Sequence, residues 1–272
     1  MILRSVMQHV RDQNWFAVAL DFLIVVVGVF IGIQVANWND ARQRDARSET
    51  ARARLVDNIR DEIELMRLRT IYFEGVSDFG EYADTVLDGP PPDTDAARWQ
   101  FLVALFQAGQ AWPFGLHGQV YREMQSAGQL DLIGGPEIRS ALSSYYDESA
   151  REIGITFGTI DPYRALIRRK MPWPLQQYIW TRCYDFDASQ TGRETIEEYM
   201  PACPPPDDLD RVRQAATDLH ASEELEEYLH GRLSELHVTL GFIRNVTRDG
   251  VALIDEVNRT GREDDEAPEG SE

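Results

Sequence analysis

The stretch WFAVALDFLIVVVGVFIGIQVA, Trp15–Ala36, holds one acid, Asp21, and one amide, Gln34, in 22 positions. Coiled as an α-helix it is about 33 Å long, which matches a hydrocarbon core of about 30 Å. Trp15 and Trp38 bracket it, as interfacial aromatics do. Two other readings compete. A buried core helix is one, because the uninterrupted apolar run Phe22–Ile33 has only 12 residues. A cleaved signal peptide is the other. However, no small-x-small site followed by a polar start is present, and WNDARQRDARSE continues outward in helical composition. The stretch is therefore expected to be a signal-anchor, a single transmembrane helix over 15–36 in the lipid bilayer, preceded by a short tail at 1–14.

One face of this helix differs from the rest. At 100° per residue from Asp21, Gly28 falls at about −20°, Gly32 at about +20° and Asn39 near 0°. The polar and smallest residues thus share a stripe, and Leu, Ile, Val and Phe take the other faces. Gly28 and Gly32 form a G-x-x-x-G pair, which lets two helix backbones approach closely. A carboxylate at membrane depth is costly against lipid, so Asp21 is expected to face a partner helix or water. The bland alternative is chance spacing of the glycines, with Asp21 snorkelling to the interface. The expected partner of the Asp21/Gly28/Gly32 face is a second copy of the chain (a homo-oligomer) or another membrane helix.

DFLIVVVGVFIGIQVANWNDAR resembles the N-terminal signature of a large uncharacterised family of bacterial single-pass membrane proteins. Asp21, Gly28, Gln34, Asn37, Trp38, Asn39 and Asp40 fall on the family pattern. The acid is Asp where Glu is usual, and Gly32 stands where Ala is usual. YREMQSAGQLDLIGGPEIRSALSSYY, Tyr121–Tyr146, is similar to a second family segment. The resemblance implies the architecture, an anchor followed by a helical soluble domain. It implies no activity.

Outward from the anchor, the charge divides unevenly. Residues 1–60 carry 8 Arg against 6 acids, whereas the remainder carries 19 basic against 40 acidic residues. A domain so acidic repels phosphate backbones, which argues against nucleic acid as a partner. With 43% hydrophobic residues the chain can bury a core.

Leu55, Ile59, Ile63, Met66, Phe73 and Val76 recur at helical steps, and the pattern stops before Gly89-Pro90-Pro91-Pro92. Asp93–Asp95 offer N-caps for a short helix through Trp99 and Phe106. A further helix is expected over Gln119–Ala127, with Gly128 as its C-cap. Another should run from Glu137 to about Ile160, with Pro136 in its first turn, and Asp161-Pro162 should interrupt it or restart a helix to Lys170. Residues 172–206, rich in Pro, Trp and Cys, are expected to be irregular. A final helix is expected over Ser222–Asn258 with Leu225, Leu229, Leu233, Leu236, Leu240 and Ile243 on one stripe and a kink at Gly250. The acidic tail 261–272 has no apolar anchor and is expected to be disordered. The fold class is all-α: a transmembrane helix followed by a bundle-like helical domain over 37–260.

Two signals conflict over the side of the membrane. Arg4 and Arg11 precede the span, whereas Arg42, Arg44, Arg47, Arg52 and Arg54 follow it, which by the positive-inside rule keeps the domain in the cytoplasm. Cys183 and Cys203 are the only cysteines and flank one segment. As a disulfide they would place the domain in an oxidising compartment; zinc is the weaker reading, because two cysteines without nearby histidines leave the site incomplete. The expectation is the bacterial inner membrane with the domain in the periplasm.

No catalytic, cofactor-binding or metal-binding motif is found: no P-loop, dinucleotide fingerprint, nucleophile elbow or H-E-x-x-H. Glu227-Tyr228-Leu229-His230 spells the E-x-x-H half of a di-iron site without a second copy, and is read as solvated helix. His230 and His237 share a face, which is more often packing or solvent than a ligand pair. Trp173 and Trp180 could line a pocket, but aromatics near prolines more often fill a core. The sequence therefore points to a membrane-anchored interaction or scaffold protein and not an enzyme. The alternatives are an ion- or energy-coupling component using Asp21, or a ligand-sensing extracytoplasmic domain.

Overall fold

A computed structural model describes residues 15–112, 115–149, 151, 161–185 and 194–266. Among the described residues eight α-helices run in order: α1 Trp15–Leu87, α2 Asp95–Ala108, α3 Gln119–Ala127, α4 Pro136–Ser143, α5 Pro162–Lys170, α6 Trp173–Arg182, α7 Leu209–His220 and α8 Glu223–Glu266. Short 3₁₀ turns lie at Leu130–Leu132 and Ile196–Glu198, and a π-helical turn at Ser144–Glu148. No strand occurs among the described residues, so the class is all-α. The chain divides into two compact units, Met1–Ala53 and Arg54–Glu272.

In the first unit, α1 contains an 18-residue window of mean hydropathy 2.5, none of it buried. Among the described residues it is the one helix long and apolar enough to cross a membrane. Phe22 is 70% exposed and Phe30 61%, so none of the described residues covers this surface. The expected tail at 1–14 lies outside the described residues.

The second unit is built on two long helices running antiparallel. Ile63 of α1 meets Gly250 of α8, Gly80 meets Leu233, and Asp84 Oδ1 lies 2.9 Å from His230 Nε2, so numbers rise along one helix as they fall along the other. α1 contributes Leu55, Ile59, Met66, Phe73 and Val76 to the core, and α8 contributes Leu225, Leu229, Leu236, Ile243 and Val257. α2 is the central helix of a second cluster. Its Phe101, Leu102, Leu105 and Phe106 are wholly buried among Leu166 and Ile167 of α5, Ile179 of α6 and Val212 of α7.

Helix ends follow local chemistry. Thr94 caps α2, its side chain accepting from the Ala97 N–H at 3.2 Å. Gly128 ends α3 in the left-handed conformation, φ 66°, open to glycine without strain. Asp161 caps α5 by accepting from Tyr163 N at 2.9 Å, with Pro162 in the first turn. The other end of α2 is held by Arg232 of α8. Its guanidinium donates to the carbonyls of Ala108 at 3.0 Å and Gln110 at 2.6 Å, and pairs with Asp161 at 3.2 Å. A cation at that place satisfies orphan carbonyls and the negative end of the helix dipole together.

Three expectations need correction. Residues 172–206 are not irregular throughout: 173–182 form α6, because Pro174 sits in the first turn, where a missing N–H costs nothing. The helix from 136 does not continue uniformly; it widens into a π-turn at Ser144, and 152–160 lie outside the described residues. The expected disordered tail is helical as far as Glu266, with Thr260 and Gly261 half-buried and Thr260 close to Gly134, while 267–272 lie outside the described residues. Gly250 lies inside α8, where its bare backbone admits the Tyr145 hydroxyl and Ile63.

Candidate functional site

Asp21, Gly28 and Gly32 all lie on exposed α1 in the first unit. A Cβ added to either glycine would meet nothing within 4 Å, so the chain itself places no partner on this face among the described residues. Cys183 and Cys203 belong to the second unit and are joined as a disulfide, with Cα atoms 5.3 Å apart. Cys183 ends α6, and its carbonyl accepts from Gln107 Nε2 at 2.7 Å. The Cys203 carbonyl accepts from Trp99 Nε1 at 3.2 Å.

Around a buried acid, which the sequence reading passed over, three unsatisfied polar groups gather among the described residues. Glu62 of α1 is 2% exposed. Its Oε1 accepts from the Gly118 N–H at 2.6 Å. Gly118 is left-handed, φ 47°, and a side chain there would collide with the Tyr146 ring, so glycine is required on both counts. The π-turn puts two consecutive residues, Tyr145 and Tyr146, into the interior. Tyr146 stacks on Tyr121 with centroids 4.9 Å apart, and Tyr145 meets Tyr146 edge-on. Tyr121 and Tyr146 are the two ends of the Tyr121–Tyr146 segment, here brought face to face. Glu62 Oε2 and the hydroxyls of Tyr145 and Tyr146 have no hydrogen-bond partner among the described residues. Such groups are rare in folded interiors, and π-turns concentrate at working sites.

Burial pushes the Glu62 carboxyl up from its ordinary value, against the hydrogen bond from the Gly118 N–H, which pulls it down. Burial likewise raises both tyrosines, and Glu62 raises them further. Burial thus disfavours the charged form of the acid relative to an exposed carboxylate. A folded-state value above the unfolded one means the stabilisation is present below the ordinary carboxylate range and is lost as pH rises through the folded value. Glu62→Gln keeps the shape and the acceptor and removes the titration. The variant should therefore gain stability over the parent as pH rises from the ordinary carboxylate range to the folded value, by at most about 1.4 kcal/mol per pH unit. Paired urea melts across that range check this, and a difference independent of pH would show that Glu62 is ionised throughout.

Other buried cations are held by rings. Arg69 lies 3.2 Å from the Trp112 centroid and burial lowers it to about 10; Arg168 lies 3.3 Å from that of Phe106 and is lowered to about 9. His230 Nε2 lies 2.9 Å from Asp84 Oδ1, and His220 Nε2 lies 3.1 Å from the Val86 carbonyl oxygen. Among the described residues no group of three His, Cys, Asp or Glu could hold a metal ion. Trp173 is 64% exposed, and Trp180 packs edge-on against Phe106 and Tyr184. No protein-family model matches the chain, and no curated protein or solved structure is significantly similar to it.

Proposed function

We propose that this is a single-pass bacterial inner-membrane protein whose helical domain serves as an interaction or scaffold module, with the Asp21/Gly28/Gly32 face of α1 packing on a second copy or on another membrane helix. The observation that carries the reading is the apolar window of α1, which is uncovered over its whole length. Such a surface is unfavourable in water and favourable in lipid. Small residues permit close helix approach, and packing against a partner would take Asp21 out of lipid. The Cys183–Cys203 bridge supports a periplasmic domain, and the arginines following the span argue the other way. Long domains translocate largely regardless of charge, so the bridge weighs more.

Replacing Gly28 or Gly32 by Leu adds bulk where backbones approach, and should weaken association in a membrane two-hybrid assay by about tenfold, equivalent to roughly 1.4 kcal/mol. Phe22→Leu and Ile31→Leu lie off the stripe and should leave association unchanged. Equal indifference to all four sinks the packed stripe. Asp21→Asn separates this reading from ion or energy coupling. The amide retains an interhelical hydrogen bond of about 1 kcal/mol and cannot relay a proton. Association should persist in either case, and loss of a proton-coupled activity in the assembled complex would favour the coupling role. A periplasm-dependent reporter fused at the C-terminus should be active, and a reporter working there only in the cytoplasm would reverse the orientation.

A further inference from the structure

Two of the open clefts in the second unit, among the described residues, differ in chemistry. One, of about 490 Å³, lies between α8 and the Ser144–Glu148 turn. Its Arg248 and Glu256 are already engaged by Asp249 and Arg259. The other, of about 590 Å³, lies between α1, α2 and the segment Ile196–Pro205, within the range of small-molecule pockets. Phe79, Tyr82 and Trp99 supply its aromatic lining, with Val103 and Met200 beside them. Asp78 of α1 and Glu197 of the segment, both exposed, bring two carboxylates to its lining. No Lys, Arg or His lines this cleft among the described residues, and neither carboxylate has an ion pair there.

Its outer wall is pinned independently of any ligand. Ile196 packs so closely on Gly75 that a Cβ there would fall within its side chain. Trp99 Nε1 holds the Cys203 carbonyl, and the disulfide ties Cys203 to the end of α6. Tyr199 lies edge-on to Tyr72 and Trp112, at 5.7 and 5.5 Å between centroids, and its carbonyl accepts from Asp185 N at 2.9 Å. The cleft is therefore a preorganised space and not a gap that the segment could collapse into.

From this juxtaposition we propose that the cleft between α1, α2 and Ile196–Pro205 is a binding site for a small organic cation with an apolar body, an arylalkylamine in chemical class. Aromatic side chains take the body and are attractive to a cation, and two unpaired carboxylates of one sign select the ammonium. An anion would meet only repulsion. A neutral ligand of the same shape would gain the apolar contact alone. The inference does not rest on the role of α1 in the membrane, and its test has a separate readout.

The test uses the full chain in phosphatidylcholine nanodiscs, with saturation-transfer NMR titrations corrected for binding to empty discs. The probes are 2-phenylethylamine, 2-phenylethanol and 3-phenylpropionate, which share a ring and differ in charge. The amine should bind about tenfold more tightly than the alcohol at low salt, and the carboxylate should not saturate. Asp78→Asn with Glu197→Gln keeps the walls and removes the charge, and should bring amine and alcohol within about twofold of each other. Ala96→Trp, at the exposed lining of α2, fills the cleft and should abolish binding of both; unchanged thermal melting of each variant establishes that the fold persists. Absence of amine binding overturns the proposal. So does equal binding of the three probes, a preference that survives the double substitution, or binding that survives Ala96→Trp.

Discussion

Arg232→Ala is expected to lower the stability of the second unit by roughly 3–5 kcal/mol, because it breaks a buried ion pair from one side. Arg232 is 7% exposed and its side-chain partners are few and specific. Truncation leaves the carbonyls of Ala108 and Gln110 without their donor, and leaves Asp161, 12% exposed at its side chain, without its cation. It also removes the positive charge from the end of α2, the helix on which the central cluster is assembled. Burial lowers the Arg232 value and Asp161 opposes that, so the pair is a compromise between desolvation and attraction. For a unit of this size the loss corresponds to a fall in Tm of about 6–20 °C. The double variant with Asp161→Asn should cost less than the two single changes added together, by about 1 kcal/mol or more, because no uncompensated carboxylate remains. Thermal and urea melts of the four species decide it. A single variant within about 0.5 kcal/mol of the parent, the range typical of surface changes, would show that water replaces the guanidinium at little cost.

Arg232 also shows where reading the sequence succeeds and where it stops. The apolar stripe Leu225, Leu229, Leu236 and Ile243 was legible, because each leucine step repeats the helix period. Arg232 interrupts that stripe at the same period and reads as a solvated residue unless the two carbonyls it serves are known. They belong to the end of α2, more than 120 positions away in the chain. Glu62 and Arg69 tell the same story on α1. Ile59, Met66 and Phe73 stand seven apart, and the positions that complete the stripe between them are 62 and 69. A charged residue on an otherwise apolar seam was the available signal. The ordinary Asp/Glu richness of NIRDEIELMRLR concealed it.

Local punctuation was legible wherever its meaning did not depend on packing. Gly89-Pro90 ends α1, and Gly128 closes α3. Prolines misled where position within a helix mattered. Pro174 occupies the first turn of α6, and the Pro204–Pro206 run hid α7, whose Asp208 cap and Val212, Ala215, Ala216 and Leu219 stripe follow at once. The π-turn had no local signal. An extra residue in a helical turn is favoured only by what the two tyrosines meet, namely Gly118, Glu62 and Gly250 from three other segments. The aromatic cleft was missed for a related reason. The tryptophans near the prolines drew attention, whereas Trp99, spaced like any core residue of α2, is the one that lines it.

Replacing both Cys183 and Cys203 by Ala is expected to remove about 3 kcal/mol, from the loop-closure entropy of a link across 20 positions, and to lower Tm by about 6–12 °C. Mild reduction of the parent protein should have the same effect if the thiols are reached. Cys183 is fully buried and Cys203 half-buried, so reduction should be slow in the native state and rapid in denaturant. The effect should also have a place. Without the bridge, the wall Ile196–Pro205 keeps the Gly75 contact, the Trp99 bond, the Tyr199 rings and the Asp185–Tyr199 backbone bond. Amides of 194–205 should then exchange faster than those of α2 and α8, which remain held by the core. Gly75→Ala attacks the same wall from its other end, because the new methyl group and the Ile196 side chain cannot share the space. Its cost should be about 1–3 kcal/mol with the bridge intact. Combined with the cysteine replacements it should cost less than the sum, since a wall already released can move away from the methyl group. Strict additivity of the two changes would mean that Ile196–Pro205 is held at two independent points, and would remove the disulfide from any role in shaping the cleft.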